Sequence, residues 1–309
     1  MHILISGGSG FIGTALTDSL LVDGHHVVIL TRNPQRAIVN KGAQLIGWDE
    51  LGDPKGVDLL SQVEAVVNLA GESIGAGRWT KGRKESILSS RVGAGKLLVE
   101  AIRKANRRPK VFIQASAAGY YGPCHAGPVT ETSPAGSDYL AEVCTAWEAS
   151  STPVEELGVR RAVIRTGVVL SKDEGPLPRM LLPFRLFVGG PLGSGKQGFS
   201  WIHPADEVAA IRFLMENEQA VGVFNLCSPN PLSNADFGRT LARVLKRPYW
   251  LPVPALALRL LLGGMSTLVL DGQFMIPARL QELGFRFCFE NAESALEDLL
   301  NKSGPVKSR

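Results

Sequence analysis

The chain has 309 residues, with 33 Lys and Arg against 29 Asp and Glu, and a formal net charge of +4 is too weak a bias to point to a nucleic-acid partner. Hydrophobic residues make up 45% of the sequence and charged residues 20%, enough to bury a large core and to exclude a disordered chain. The length fits one large α/β domain, or a nucleotide-binding domain with a smaller appendage.

Residues 2–6 lack a basic region ahead of their apolar run and lead straight into glycines. They read as a first strand and not as an export signal, which makes a cytoplasmic protein the expectation. Further strands are expected at residues 26–31, 44–47, 65–69, 111–115 and 161–165. Each is aliphatic or β-branched and too continuous to be half-exposed. Helical patterns at 14–22, 84–105 and 139–157 separate most of them. The alternation predicts an α/β fold built on a doubly wound parallel sheet, the Rossmann arrangement, over residues 1–170.

Beyond residue 170 the alternation stops, and Gly and Pro crowd residues 175–198. Residues 171–309 are read as a mixed substrate-side region with helices at 205–216, 234–245 and 292–300. Within it, 205–226 returns to the core and 251–300 forms a small C-terminal domain. The longest apolar stretch, 255–270, contains Arg259 and the pair Gly263 and Gly264 and falls short of the roughly 20 residues a bilayer span requires. It reads as a buried helix and a turn, so no membrane contact is expected. The tail 302–309 is expected to fray. Cys124, Cys144, Cys227 and Cys288 form no CxxC pair, so neither a zinc site nor a disulfide scaffold is indicated.

The strongest chemical signal is the run Gly7, Gly8, Ser9, Gly10, Phe11, Ile12, Gly13. It contains the GxGxxG spacing at Gly8, Gly10 and Gly13, directly after a strand and at the opening of a helix. Glycine permits the tight turn and close backbone approach, and the helix N-terminus offers N–H groups and a positive dipole end to a pyrophosphate. Where the second strand ends, a protein that binds NAD usually places an acid for the ribose 2′-hydroxyl. This chain has Thr31, Arg32 and Asn33. A cation there suits a 2′-phosphate, so the expected cofactor is NADP(H); taken alone, Arg32 also reads as a solvated loop residue. Two other glycine runs are decoys. Residues 190–196 match the glycine and lysine spacing of a P-loop, but Gln197 stands where Ser or Thr must follow. Ser9 cannot be a hydrolase nucleophile in a GxSxG elbow, because Phe11 replaces the second glycine.

With the glycine loop, the segment Val66 to Glu72 after the fourth strand and Ser116 to Gly122 after the fifth, the chain resembles the extended short-chain dehydrogenase/reductase superfamily. Arg165 to Leu170, Trp201, Ile202, His203 and Asp206 narrow the resemblance to its "epimerase family protein" branch. Residues 251–300 resemble the small domain of unknown function found in that branch. The resemblance implies cofactor contacts at Thr31 and Arg32, at Leu69, Ala70 and Gly71, at Glu85 and Arg91 on the long helix, and at Val169. From the residues alone, Glu85 and Arg91 read as a surface helix pair.

The sequence departs from that superfamily at the chemistry. Catalytic members pair a Ser with Tyr-x-x-x-Lys, whose lysine lowers the tyrosine pKa. Ser116 and Tyr139 fit the pattern, but Val143 occupies the lysine position. A free tyrosine, with a pKa near 10, is ionised to about one part in a thousand at neutral pH. The catalytic candidates are therefore Ser116, Tyr120, Tyr139 and His203. Tyr139 also reads as a packed aromatic, and His203, just before Pro204, as a helix cap rather than a proton shuttle. Glu72, Arg78, Trp79, Lys196, Gln197 and Trp201 are further polar or aromatic candidates near the substrate end. The expected function is an NADP(H)-dependent oxidoreductase or epimerase acting on a small molecule. The alternative, favoured by Val143, is a non-catalytic NADP(H)-binding sensor or scaffold.

Overall fold

In the first strand, β1 (His2–Ser6), Ile3 and Ile5 turn to one layer of helices and Leu4 to the other, and all three are fully buried. The same two-sided burial recurs in β2 (His26–Thr31), where Val27 and Ile29 oppose Val28 and Leu30. A strand buried on both faces needs continuous aliphatic residues, which is why these segments do not alternate apolar with polar. The computed structural model describes residues 1–35, 37, 39–123 and 127–301. Cys124 and the tail 302–309 lie outside the described residues.

The glycine loop leads into α1 (Phe11–Val22), and after β2 come β3 (Gln44–Gly47), α2 (Pro54–Leu60), β4 (Ala65–Asn68) and the long α3 (Lys81–Lys104). They are followed by β5 (Val111–Ala117), a 3-10 turn at Ala118–Tyr121, β6 (Pro128–Val129), α4 (Tyr139–Ala149) and β7 (Arg160–Thr166). The rest of the chain comprises β8 (Val168–Val169), α5 (Leu177–Arg185), β9 (Gly198–Phe199), β10 (Trp201–Ile202), α6 (Pro204–Glu216), β11 (Gly222–Leu226), β12 (Leu232–Ser233) and α7 (Asn234–Leu245). It ends with α8 (Ala255–Leu262), α9 (Thr267–Leu270), β13 (Phe274–Met275), α10 (Ala278–Glu282) and α11 (Ala292–Asn301).

Seven strands form one sheet in the order β11-β7-β5-β4-β1-β2-β3, with every pairing parallel. This is the doubly wound α/β fold that the sequence predicts. Its strand order reverses between β1 and β4, and ligands of such sheets bind in the crevice outside the strand ends at that reversal. The C-terminal region is stitched to the sheet at several points. The β13 strand pairs with β6, and Arg279 donates to the carbonyls of Val221 and Val223 while stacking on Phe224. A separate core there gathers Trp201, Phe184, Phe237, Leu241 and Leu296.

Two expected elements differ. The helix read over 139–157 stops at Ala149, because the Ser150 hydroxyl bonds back to the Trp147 carbonyl and Pro153 opens a short 3-10 turn at Thr152–Val154. The stretch 255–270 is not a buried helix. In α8 only Leu258 is buried, while Leu256, Leu260 and Leu261 are 68%, 74% and 69% exposed. An eight-residue helix whose only polar side chain is Arg259 and which docks along one line must leave apolar faces in water, and hydropathy alone cannot show which. No helix among the described residues is long and apolar enough to cross a membrane.

Candidate functional site

The turn between β1 and α1 needs glycine at Gly8, where a Cβ would come within 2.8 Å of the Ile29 side chain, and also at Gly7 and Gly13. Gly7 has a φ of +74°, and a Cβ there would lie 2.8 Å from the Leu69 carbonyl carbon. A Cβ on Gly13 would meet the Gly7 carbonyl oxygen at 2.3 Å. Both positions therefore demand glycine for the protein's own packing. Gly10 differs: its backbone is extended, and its Cβ would meet a single neighbour, the Gly7 oxygen at 3.3 Å. Its missing side chain keeps open a cradle above the first turn of α1. That turn has no side-chain cap and no acidic residue, so its N–H groups and dipole suit an anion. Leu69 and Ala70 lie against Gly7, and Phe11 and Ile12 share a small recess with Val169. The sequence-predicted positions Gly7, Gly10, Phe11, Ile12, Gly13, Leu69 and Ala70 thus gather at the turn beside the β1–β4 crevice, with Val169 next to Phe11 and Ile12.

Thr31 closes β2, and Arg32 follows it on the surface. Across the crevice Glu72 receives hydrogen bonds from Ser86 and Arg83, the latter at 2.8 Å. The Ser86 hydroxyl first, then Arg83 and the more distant Arg32, hold the Glu72 carboxyl below its ordinary pKa. Arg83 and Ser86 thus hold the Glu72 carboxylate from α3. Arg91 sits beneath this loop. It donates at 3.0 Å to the carbonyls of Glu72 and Ile87, packs its guanidinium against Gly71 and lies over the Trp147 ring. Glu85 is exposed on α3.

At the ends of β1, β4 and β5 the sheet carries a buried polar chain. Ser6 donates to Asn68 at 2.6 Å, Asn68 to Gln114 at 3.0 Å, and Gln114 to its neighbouring carbonyl. The remaining lone pair of Asn68 takes the Ala70 N–H at 3.3 Å, which shapes the backbone at the crevice. Sequence reasoning missed this chain, since single polar residues closing apolar strands carry no signal of being aligned.

The catalytic candidates do not form one constellation. Ser116 donates to Glu148 at 2.6 Å, and Glu148 is gripped by Arg165 through Nε at 2.8 Å and Nη2 at 3.0 Å. The Arg165 guanidinium lies 3.2 Å from the Tyr120 ring centroid and donates to the Tyr121 hydroxyl at 3.2 Å. Burial alone would lower the Arg165 pKa, yet the hydrogen bonds and charge of Glu148 raise it above the usual arginine value. Ser116 and Tyr120 therefore belong to a closed ionic cluster. Tyr139 stands apart, donating to the Lys84 carbonyl at 3.0 Å beneath the Lys84 ammonium. Burial raises its pKa, and the fields of Arg91 and Arg83 only oppose that shift. Val143 is buried and brings no charge. His203 caps α6, its Nδ1 accepting from the Ala205 N–H at 3.1 Å. Its ring stacks on Phe289 at 3.8 Å, and Nε2 lies 3.6 Å from Asp298, so it joins α6 to the C-terminal region. Of the lesser candidates, Trp201 is core and Gln197 bonds the carbonyls of Leu192 and Val269.

Glu207 is the group that the sequence concealed. Acids in the first turn of a helix, as Asp206 and Glu207 are in α6, favour its dipole and ordinarily face water. Here Asp206 instead accepts the N–H groups of Cys288 and Phe289 at 2.7 and 2.9 Å, and Glu207 is fully buried beside the Phe11, Ile12 and Val169 recess. Thr166 donates to its Oε1 at 2.9 Å, while Oε2 has no hydrogen-bond partner among the described residues. Burial pushes the Glu207 pKa up to about 8, against a smaller lowering by Thr166. It is therefore an uncharged acid at neutral pH.

Comparison with known proteins agrees with this architecture. The profile described as NAD dependent epimerase/dehydratase family matches residues 3–227, and one described as a domain of unknown function matches residues 253–299. An epimerase family protein of Staphylococcus aureus (strain MRSA252) is 41% identical over 302 residues, 97% of this chain and 99% of that one. The epimerase family protein YfhF of Bacillus subtilis (strain 168) is 40% identical over 301 residues, 97% and 98% of the two chains. A crystal structure of the human epimerase family protein SDR39U1 (isoform 2) with NADPH superposes with a TM-score of 0.89 at 36% identity, covering 97% of this chain and 99% of that one.

Three outcomes follow from this geometry. Glu148→Gln leaves the buried Arg165 cation without its counter-charge and should cost about 3–5 kcal/mol of folding stability in chemical denaturation. A loss below 1 kcal/mol would mean that the cluster is solvated. Gly10→Val should fold with the parent's circular dichroism and melting temperature and yet fail to bind a dinucleotide, because only the ligand's space is filled; normal binding would make the loop purely structural. Glu207 keeps a proton in the folded state that the unfolded chain releases above about pH 4.5, so its contribution to stability falls as pH rises through the interval up to about 8. Glu207→Gln abolishes that term, and its stability relative to the parent should climb by up to about 1.4 kcal/mol per pH unit across the interval. A pH-independent difference would show that Glu207 ionises normally.

Proposed function

The chain belongs to the NAD dependent epimerase/dehydratase family, and from that premise we propose that it is an NADP(H)-binding oxidoreductase or epimerase acting on a small molecule. The observation that carries the cofactor preference is Arg32, exposed directly after β2, at the strand end where a protein that binds NAD usually places an acid. The human relative crystallised with NADPH supports the same choice.

The residues present fit a dinucleotide. The crevice combines an uncapped helix start, the cradle at Gly10 and the polar backbone at Ala70. Gly7, Gly10 and the first turn of α1 would hold the pyrophosphate, Leu69 and Ala70 would border the adenosine ribose, and Thr31 and Arg32 would take the 2′-phosphate. Val169 would lie near the nicotinamide end. Glu85 and Arg91 would act at the rim, Arg91 by holding the Glu72 backbone beneath the ligand. A bound nicotinamide would supply hydride acceptance or donation, with the protein setting orientation.

The proton partner for such chemistry is not the superfamily's tyrosine and lysine pair. Tyr139 has its hydroxyl on a carbonyl and its pKa raised, Ser116 is held by Glu148, and His203 is engaged with the C-terminal region. This favours a second reading, a protein that binds NADP(H) as a sensor or scaffold without turnover.

Arg32→Ala should weaken NADPH binding by about 1.5–3 kcal/mol in titration calorimetry and leave NADH unchanged. Equal weakening toward both cofactors would refute the assignment of Arg32 to the 2′-phosphate. In a panel of carbonyl compounds and nucleotide sugars followed by nicotinamide absorbance, Tyr139→Phe should leave any turnover within about threefold of the parent, the loss of one part-exposed hydrogen bond. A hundredfold loss would restore the tyrosine mechanism. No turnover on any substrate, despite tight NADPH binding, would decide for the sensor.

A further inference from the structure

Thirteen large apolar side chains are exposed among the described residues, and nine of them fall in two stretches, 182–188 and 250–261. The fold brings these stretches together. The N–H groups of Trp250 and Leu251 donate to the Gly189 carbonyl, and that of Val253 donates to the Pro191 carbonyl as the chain enters α8. The Trp250 indole donates to the Phe187 carbonyl at 2.9 Å. Both helices also dock on one loop, Arg179 of α5 donating to the Gly75 carbonyl and Arg78 to the Leu261 carbonyl of α8. On α8 itself Leu256 and Leu260 stand one turn apart on the same side. The end of α5, residues 250–253 and α8 thus present one apolar surface rather than scattered side chains, and a surface of that kind marks a contact.

Two helix ends on this surface carry residues that their backbone disfavours. Where α1 and α10 end, the left-handed position is filled by Gly24 and Gly284, the residue such ends prefer. The described residues with positive φ other than glycine are Phe187, at 62°, and Lys246, at 54°. They end α5 and α7 in the same way, the next N–H reaching back to the carbonyls of Pro183 and Ala242. A bulky aromatic in left-handed backbone is an outlier, and the Phe187 side chain is half exposed, so packing offsets little of that cost. Charge then selects what covers the surface. Residues 175–205 and 237–270 hold eight Lys and Arg and no Asp or Glu. Arg185, Lys246, Arg247 and Arg259 are exposed, and the Arg247 guanidinium lies 4.4 Å from the Phe187 ring centroid. A second copy docked face to face would set these cations against their own equivalents. An anionic bilayer accepts both features, because apolar side chains enter its interfacial layer while long basic side chains keep their charge at the headgroups.

We propose that this surface docks on an anionic phospholipid bilayer, with Phe187, Trp250, Leu260 and Leu261 entering the interfacial layer and Arg247 and Arg259 held at the headgroup phosphates. A chain that lies on a bilayer does not cross it, so the lack of a spanning helix among the described residues does not bear on this contact.

The test is sedimentation of the full chain with vesicles, either of phosphatidylcholine alone or of phosphatidylcholine and phosphatidylglycerol in equal parts. The parent should pellet with the anionic vesicles, stay in the supernatant with the neutral ones, and be released as salt rises. Leu260→Ser should bind the anionic vesicles roughly tenfold more weakly, as expected when one leucine no longer leaves water. Phe187→Gly should lose a similar factor and yet melt no lower than the parent, because glycine relieves the left-handed backbone. A parent that stays in the supernatant with anionic vesicles would overturn the proposal and leave an acidic protein surface as the occupant. Equal pelleting with both kinds of vesicle would also overturn it, as would parent-like binding by both variants. A concentration-dependent dimer in light scattering that Leu260→Ser abolishes would overturn it in favour of a second copy.

Discussion

The ion pair between Arg165 and Glu148 fixes how the rest of the molecule is assembled. It joins β7 to α4 across the end of the sheet, with the arginine side chain only 4% exposed. Two charges withdrawn from water are tolerable when their remaining donors and acceptors are filled, and here neighbours fill them. Ser116 from β5 supplies a further donor to Glu148, and Arg165 reaches Tyr121 and the Glu131 carbonyl. Tyr121 passes on to Asn225 in β11, and Asn225 to the Ile276 carbonyl. Glu131 accepts the N–H groups of Asn225 and Arg279 through one oxygen. One network thus secures β5, β7, α4 and the C-terminal region together.

That network has a consequence for chemistry. The resemblance to the superfamily points to Ser116, at the end of β5, and Tyr139, at the start of α4, working as a pair. The serine is drawn into the ionic cluster and the tyrosine is held by the Lys84 carbonyl. A hydroxyl bound to a carboxylate is polarised toward donation, but its proton is already directed at Glu148 rather than outward. The burial that stabilises Tyr139 also makes its ionisation harder. The glycine turn is under a different constraint. There backbone proximity dominates: Gly7 and Gly13 are set by contacts within the protein, and Gly10 by the space it leaves free.

The two acids that open α6 show how one short sequence serves two faces. Asp206 turns to the C-terminal segment and takes two of its N–H groups, while the next residue, Glu207, turns to the recess beside α1. Both have raised pKa values caused first by burial. For Asp206 the two N–H groups offset part of that penalty. Glu207 has only the Thr166 hydroxyl to oppose the effect of its burial. Helix α6 packs against α1, which brings this uncharged acid next to the glycine turn.

The sequence by itself determined the sheet and the glycine turn, because both are written in local spacing. Continuous aliphatic runs separated by helical periods admit few arrangements other than a parallel sheet covered on both sides. A glycine run between strand and helix, followed by a strand ending in Thr31 and Arg32, puts the turn and the arginine at adjacent strand ends from residues close in the chain. Even there the register needed coordinates, since Gly7 and not Gly8 takes the left-handed backbone. Tertiary structure alone decided the fate of the polar residues. Ser116 and Glu148 are 32 positions apart, Asn68 and Gln114 are 46, and Thr166 and Glu207 are 41. Helix α8 escaped for the complementary reason: hydropathy reports that its residues are apolar, but the number of its faces that find a neighbour depends on elements folded elsewhere. Hydrogen-bond partners and burial are properties of pairs of segments, and a linear pattern specifies one segment at a time.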